Sequence, residues 1–327
     1  MPDILITEQI SGAAIAELGR RFSLTTEPDL WRSPEKLKSA VGSCRALLVR
    51  NQTRVTAEII AAAPRLLVVG RSGAGLDNID VAAATAAGIV VVSTPDQNSL
   101  SVAELTMGMM FALARHLPAA DRDTHNGGWN RHRFLGIELY GKTLGLVGLG
   151  RIGFMTALRA RAMGMRIIAH DQFINPDASA VTESQAELLS LEEVLRRADF
   201  VSCHVPLTPE TKHLFNYERF AAMKPTAYFL NLARGEVVDE NGLIRALDEK
   251  RLAGAALDVR EEEPPPASAL MKMDNVILTP HIAALTREGQ ERVVNALCAD
   301  VGRVLAGEPA RNCANFSQPK NRRTAAT

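Results

Sequence analysis

The sequence predicts an α/β chain built on two doubly wound parallel sheets, and three observations lead there. Short β-branched and leucine-rich runs recur from end to end, each followed by a turn and a helix-like stretch. Continuous apolar runs suit strands covered on both faces, and strand–helix alternation implies right-handed βαβ units. Ten such runs are too many for one sheet in a chain of 327 residues, so two sheets are expected.

In order, the runs are ILIT (4–7), ALLV (46–49), LLVV (66–69) and IVVV (89–92). LGLV (144–147), RIIA (166–169), FVSC (200–203), YFLNL (228–232), GAALDV (254–259) and VILT (276–279) follow. Between the two sets, Ser101 and Glu104 have the S-x-x-E spacing of a capping box, which predicts a helix starting at Ser101 and a domain boundary there. The body of that helix, LTMGMMFALAR, is apolar nearly all round and should be buried on most sides. Residues 125–141 show no period and predict a long loop or arm. Thr286 to Leu305 predicts a helix whose apolar residues at 293, 294, 297, 301, 304 and 305 share one face. The polar, basic tail after Asn315 is expected to be disordered.

Composition narrows the partners. Lys plus Arg equals Asp plus Glu at 37 each, so no net field favours nucleic acid or a membrane surface, and anions must be held by local groups. The segment Leu105 to Ala114 is too short to span a bilayer, and the N-terminal residues lack the basic and apolar regions of a signal peptide. The four cysteines form no C-x-x-C pair, which argues against a disulfide framework or metal site and suits a reducing compartment. A cytoplasmic protein without a metal is the expectation.

Gly148, Gly150 and Gly153 supply G-x-G-x-x-G directly after a strand and at the start of a helical run. The first glycine permits a tight turn, the second lets the backbone approach a pyrophosphate, and the third lets helix and strand pack closely. Arg151 and Ile152 would open the helix whose N-terminus faces the phosphates. Asp171 ends the next strand, 18 residues beyond the last glycine, where an acid accepts hydrogen bonds from a ribose diol. No Arg or Lys follows it at once, so NAD is favoured over NADP.

Three polar residues lie just past later strands: Arg234 in NLARG, Glu263 in LDVREEEPP and His281 in LTPHIAA. Ligands of open α/β sheets bind beyond the carboxyl ends of strands. Taken singly, each has a bland reading: a surface ion-pair partner, one of three solvated acids, a packed loop histidine.

Together with the glycine loop, these segments resemble the D-isomer-specific 2-hydroxyacid dehydrogenase family, which includes phosphoglycerate dehydrogenases and hydroxypyruvate/glyoxylate reductases. GRSGAGLDNID (70–80), VAELTMGMMFALAR, GGW, GLVGLGRIG, HVPLTPET (204–211), LNLARGEVVDE, ALDV with EEP, and LTPHIAA follow the family's order. The resemblance implies a Rossmann cofactor domain, residues 99–282, inserted into a discontinuous flavodoxin-like substrate domain, residues 1–98 and 283–316, with 317–327 as the tail. It also implies an NAD-dependent enzyme acting on a small anionic 2-hydroxy or 2-oxo acid, and a homodimer formed through the apolar helix and the GGW arm. The form expected is the short one, without a C-terminal regulatory domain.

The chemistry follows from residue types. Interconverting a carbonyl and a hydroxyl requires a proton carrier, which suits the imidazole of His281. Glu263 would orient the ring and stabilise imidazolium, and Arg234 would offer a fork to the substrate carboxylate and polarise the oxo group. Backbone N–H groups of Ser72, Gly73, Ala74 and Gly75 could form an anion nest. By resemblance, Asp258 contacts the nicotinamide carboxamide, while Val205, Pro206, Thr211, Leu232, Ala233 and Ala284 line the cofactor. Arg50 is a candidate for a second anionic group, as are Arg131 and Arg133.

Two positions depart from the family: Arg260 stands where an aromatic residue is usual, and Ala283-Ala284 replaces a glycine pair. The alternatives are an NAD(H)-sensing corepressor-like binding protein, or another member activity such as hydroxypyruvate, glyoxylate or sulfolactate oxidoreduction. Formate dehydrogenase is disfavoured, because those enzymes pair the histidine with Gln.

Overall fold

The computed structural model describes residues 2–320. It separates into two compact units, one made of Met1–Asn98 with Thr286–Thr327, the other of Ser99–Leu285.

The first unit holds a parallel sheet of β1 (Ile4–Ile6), β2 (Leu24–Thr26), β3 (Ala46–Val49), β4 (Val68–Arg71) and β5 (Val90–Val92), in the order β2-β1-β3-β4-β5. That is the flavodoxin-like order, with its switch point between β1 and β3. The helix Arg287–Leu305 covers one face, capped by the Thr286 hydroxyl accepting from the Gly289 N–H at 3.0 Å. Val293, Val294, Leu297, Val301, Val304 and Leu305 are all buried, as the spacing predicts. Gly70 in β4 permits this packing. A Cβ there would lie 2.8 Å from Leu297 and 2.9 Å from Val301.

The second unit holds β6 (Thr143–Val147), β7 (Arg166–His170), β8 (Glu187–Leu188), β9 (Phe200–Cys203), β10 (Tyr228–Asn231), β11 (Gly254–Leu257) and β12 (Val276–Leu278). Their order is β12-β11-β10-β9-β6-β7-β8, parallel throughout. The chain runs outward from β6 to β8 and then crosses back to β9, so the switch point lies between β6 and β9. Phe200, Phe215, Phe220 and Phe229 are fully buried, three of them packed with ring centroids 4.7–6.1 Å apart.

All ten runs named above form strands, in two sheets, among the described residues. Two further strands escape the sequence reading, β2 and β8. Each is short, lies at a sheet edge and is part-exposed, so neither carries a continuous apolar run. The capping-box expectation is corrected. The helix spans Ser99–Ala114, so Ser101 sits buried inside it, because the turn at Pro95–Asn98 ends before the S-x-x-E spacing begins. The 125–141 segment is irregular apart from the short 3-10 turn Arg131–Phe134. The expectation of a disordered tail is corrected over 316–320, where Phe316 packs on the first unit's core, Ser317 O accepts the Ala310 N–H and the Lys320 N–H donates to Gly88 O. The rest, from position 321 onward, lies outside the described residues.

Candidate active site

The glycine loop leaves β6 at the switch point. Gly148 adopts φ +96°, a left-handed conformation that glycine reaches without strain, and its N–H donates to the His170 carbonyl at 2.8 Å. A Cβ at Gly148 would lie 2.9 Å from the His204 backbone, and one at Gly153 would collide with the Gly148 carbonyl. Gly150 differs, since nothing lies within 4 Å of a Cβ built there. The protein therefore needs glycine at the first and third positions for its own packing and leaves open space at the second. That is the cradle a pyrophosphate requires, and the helix Arg151–Ala162 starts immediately after it. Arg151 and Ile152 occupy its first two positions.

Asp171, just past β7, braces this loop. Its Oδ2 accepts the Leu149 N–H at 2.8 Å, and Oδ1 accepts those of Phe173 and Ile174 at 2.9 and 3.2 Å. A carboxylate offers about four acceptor positions, so one remains for a further donor. On the β9 side of the switch point, Val205 and Pro206 follow His204, whose N–H donates to Val147 O at 2.8 Å. The Thr211 hydroxyl closes this loop on the Pro206 carbonyl at 2.6 Å. Leu232 and Ala233 follow β10, Leu232 buried and the Ala233 N–H held by Asn231 Oδ1 at 3.1 Å.

Three strand ends carry the predicted polar residues. His281 follows β12 with φ +55°, a conformation that non-glycine residues rarely adopt. The fold imposes it: the His281 N–H donates to the carbonyls of Asp258 and Thr279 at 2.8 and 3.0 Å. The fully buried Asp258 carboxylate accepts from the Thr279 hydroxyl and from the N–H groups of Ile282 and Ala283, at 2.6 to 2.8 Å. Asp258 thus holds the turn that carries His281 and Ala284, and Oδ2 keeps one further acceptor position.

His281 Nδ1 lies 2.8 Å from Glu263 Oε2, and the two side chains are 38% and 34% exposed. Glu263 Oε1 accepts the Arg260 N–H at 3.1 Å. Burial by itself raises the Glu263 carboxyl. The His281 bond and charge, the Arg260 N–H and the Arg234 charge outweigh burial and hold it below the ordinary glutamate value. Arg234 follows β10, its carbonyl accepting from Asn231 Nδ2 at 2.8 Å. One residue on, Gly235 lies so close to the Arg260 carbonyl that no Cβ fits. Arg234, Glu263 and His281, spread over 48 residues of sequence, are brought together at one end of one sheet. The arrangement can hold an anion at a guanidinium and move a proton at His281 Nε2, which has no partner among the described residues.

In the first unit, Arg50 follows β3 at that sheet's switch point. The buried Glu8 carboxylate, beyond β1, accepts the N–H groups of Arg50, Gln52 and Thr53 at 2.7 to 3.0 Å. The half-buried Arg50 guanidinium has no hydrogen bond among the described residues, and burial lowers its pKa against the opposing effect of Glu8. Of the proposed nest, Ser72 donates to Val49 O, and Gly73 to Arg71 O and Thr94 Oγ1. Among the described residues, the N–H groups of this loop left open are those of Ala74 and Gly75. Arg133 is engaged by Asp274 and Asp123 at 3.4 and 3.9 Å, whereas Arg131 has no partner among the described residues.

The family model for the D-isomer specific 2-hydroxyacid dehydrogenase, NAD binding domain, matches residues 107–283, more than half of the chain. The chain belongs to this family. Among solved structures, a protein from Thermus thermophilus is 36% identical, with a TM-score of 0.89 over 95% of this chain and 99% of that one. D-Lactate dehydrogenase from Aquifex aeolicus, solved with NAD and lactic acid, is 30% identical, with a TM-score of 0.83 over 93% of this chain and 96% of that one. D-3-phosphoglycerate dehydrogenase of Methanocaldococcus jannaschii is 46% identical over 318 residues, which is 97% of this chain and 60% of that relative. The chain therefore spans about three fifths of the length of that curated relative. The cofactor of the 2-hydroxyacid dehydrogenase domain is NAD, in keeping with the open space at Gly150 and the carboxylate at Asp171. Among the described residues no three His, Cys, Asp or Glu are grouped to hold a metal, and no helix is long and apolar enough to cross a membrane.

The sequence reading missed one feature of the candidate site. Arg260 is 7% exposed and forms a two-pronged ion pair with Glu240, its Nε and Nη2 at 2.8 and 2.6 Å from the two carboxylate oxygens. Nothing in the sequence links these residues 20 positions apart, although an Arg beside three acids invites a search for a partner.

Proposed function

We propose that the chain is an NAD-dependent dehydrogenase acting at C2 of a small D-2-hydroxy or 2-oxo acid, with a phosphoglycerate-type substrate. The observation that carries the reading is the 2.8 Å His281–Glu263 pair with Arg234 beside it, next to a loop shaped for a dinucleotide. Bound NAD supplies the hydride couple. His281 Nε2 gives its proton to the carbonyl oxygen in reduction and takes it from the hydroxyl in oxidation. Glu263 fixes the ring through Nδ1 and stabilises the imidazolium form. Arg234 holds the substrate carboxylate and draws charge from the oxo group. Main-chain groups at 150–153 would hold the pyrophosphate, Asp171 would accept from the ribose diol, and residues 205–211, 232–233, 258 and 284 would line the cofactor.

Arg50 and the Ala74 and Gly75 N–H groups are proposed as anion ligands of the first unit. A partly desolvated guanidinium without a hydrogen-bonded carboxylate suits a phosphate, and the curated relative's name points the same way. The residues 1–98 and 283–316 form the substrate domain in this reading, and 99–282 the cofactor domain. Phe111, Leu117, Trp129, Leu135 and Tyr140 are 39–84% exposed on the second unit, and we assign them to a homodimer interface. The four free cysteines suit a reducing, cytoplasmic setting.

The test is NADH oxidation with 3-phosphohydroxypyruvate, hydroxypyruvate, glyoxylate, pyruvate and sulfopyruvate. The highest kcat/KM should fall on 3-phosphohydroxypyruvate, with Arg50→Met costing that substrate most. An unphosphorylated winner would remove the phosphate assignment while keeping the dehydrogenase, and no turnover of any 2-oxo acid would overturn both.

A further inference from the structure

We propose that the buried Arg260–Glu240 ion pair is a positioning device: it fixes Arg260 and the peptides on either side of it and, through them, Glu263 and Arg234 together. The inference rests on the functional reading above.

Glu240 opens the helix Glu240–Asp248 and faces the segment after β11. Its carboxylate accepts three donors, the Arg260 Nε and Nη2 and the Glu261 N–H at 2.9 Å. Side chain and main chain of the 260–261 step are therefore tied to one anion. The tied residue, Arg260, has two further neighbours. Its N–H, in the Val259–Arg260 peptide, donates to Glu263 Oε1, while the other oxygen of Glu263 receives His281 Nδ1. Its carbonyl, in the Arg260–Glu261 peptide, presses on Gly235, the residue after Arg234, with no space for a Cβ between them. One anchored residue, Arg260, thus contacts through its N–H and its carbonyl the elements carrying the acid–base pair and the substrate cation.

A buried ion pair contributes little net stability compared with an apolar pair of the same volume, so stability alone does not explain these charges. A planar fork on a carboxylate has one geometry, which an apolar contact does not enforce. The charged group that acts on the His281–Glu263 pair from another element is Arg234, from the turn after β10. Glu261 turns away to His213, at 2.6 Å.

The experiment uses the double variant Glu240→Gln/Arg260→Met, which removes both charges together and leaves no unpaired ion buried. Two readouts are taken: kcat for 2-oxo acid reduction, and the pH titration of the His281 ring nitrogens by ¹⁵N NMR in the free protein. The expected result is a kcat about tenfold lower, the size of effect that misplacing catalytic groups brings. The His281 midpoint should move in the same direction as in Glu263→Gln. Added to Glu263→Gln, the double change should cost clearly less than its own tenfold, because the part acting through Glu263 is already lost and only the part acting through Arg234 remains. An unmoved midpoint, or a loss that multiplies fully with Glu263→Gln, overturns the proposal. Arg260→Lys keeps the charge without the fork and gives the same two readouts should the double variant not fold. If Glu263→Gln and His281→Ala themselves leave the rate unchanged, the functional reading fails, and the NMR titration still decides the positioning claim.

Discussion

His281 Nδ1 and Glu263 Oε2 stand 2.8 Å apart although 18 residues separate them, and the backbone on both sides is fixed independently. Asp258 holds the His281 turn, and the Arg260 N–H holds the other oxygen of Glu263. The protein's own main chain therefore holds the pair from both sides, and its coupling has a measurable pH signature.

Glu263→Gln removes the partner that stabilises imidazolium. Carbonyl reduction needs that protonated form, so in the variant its rate should begin to fall at lower pH than in the wild type, while hydroxyl oxidation persists to lower pH. The sign for stability is separate. The Glu263 carboxyl is depressed in the folded protein, so its contribution is full above the ordinary glutamate range and disappears as pH falls through the lowered value. Thermal unfolding from pH 7 to pH 3 should show wild type losing more stability than Glu263→Gln, and parallel curves would contradict the coupling.

Gly150 and Gly153 should separate ligand space from packing space. A Cβ at Gly150 meets no protein atom, and φ −68° suits alanine, so Gly150→Ala should keep its Tm while NADH binds at least about tenfold more weakly. Gly153→Ala drives a methyl into the Gly148 carbonyl and should cost about 1–3 kcal/mol of stability. Calorimetry with and without NADH distinguishes the two. Unchanged NADH affinity in Gly150→Ala would remove the pyrophosphate assignment.

Asp171 should exclude a 2′-phosphate. Catalytic efficiency should favour NAD(H) over NADP(H) by at least about tenfold, and Asp171→Ala should narrow that ratio. The variant should also unfold more easily, because the Leu149, Phe173 and Ile174 N–H groups lose their acceptor. A ratio near one in the wild type would sink the ribose role.

The exposed Trp129, Leu135 and Tyr140, at 77–84%, should be covered in solution by a second copy. Light scattering at micromolar concentration should give twice the chain mass, and Trp129→Lys with Leu135→Glu should give the single mass. A wild-type monomer would contradict the interface.

What the sequence revealed was what depends on local order. The buried strands announce themselves as apolar runs, and the glycine loop announces itself because a turn, a helix start and a carboxylate recur at fixed spacing. The edge strands Leu24–Thr26 and Glu187–Leu188 were silent, being half-exposed and polar. The capping-box spacing at Ser101 misled because the same residue types occur inside a helix already begun. The bonds of Asp258 to the 279–283 turn and the Arg260–Glu240 pair were illegible for another reason. They join segments whose meeting is fixed by strand order, and residue type alone does not name the partner.

The central claim is that His281 carries the proton, and the direct measurement is the reduction rate of His281→Ala with saturating NADH and the best 2-oxo acid. The account predicts a kcat roughly two to four decades below wild type, with NADH affinity little changed. Arg234→Ala should instead raise KM and lower kcat together, and Arg234→Lys should recover little, since an ammonium does not copy the planar fork. A His281→Ala rate above about a tenth of wild type would contradict the account, because a general acid contributes about a hundredfold or more.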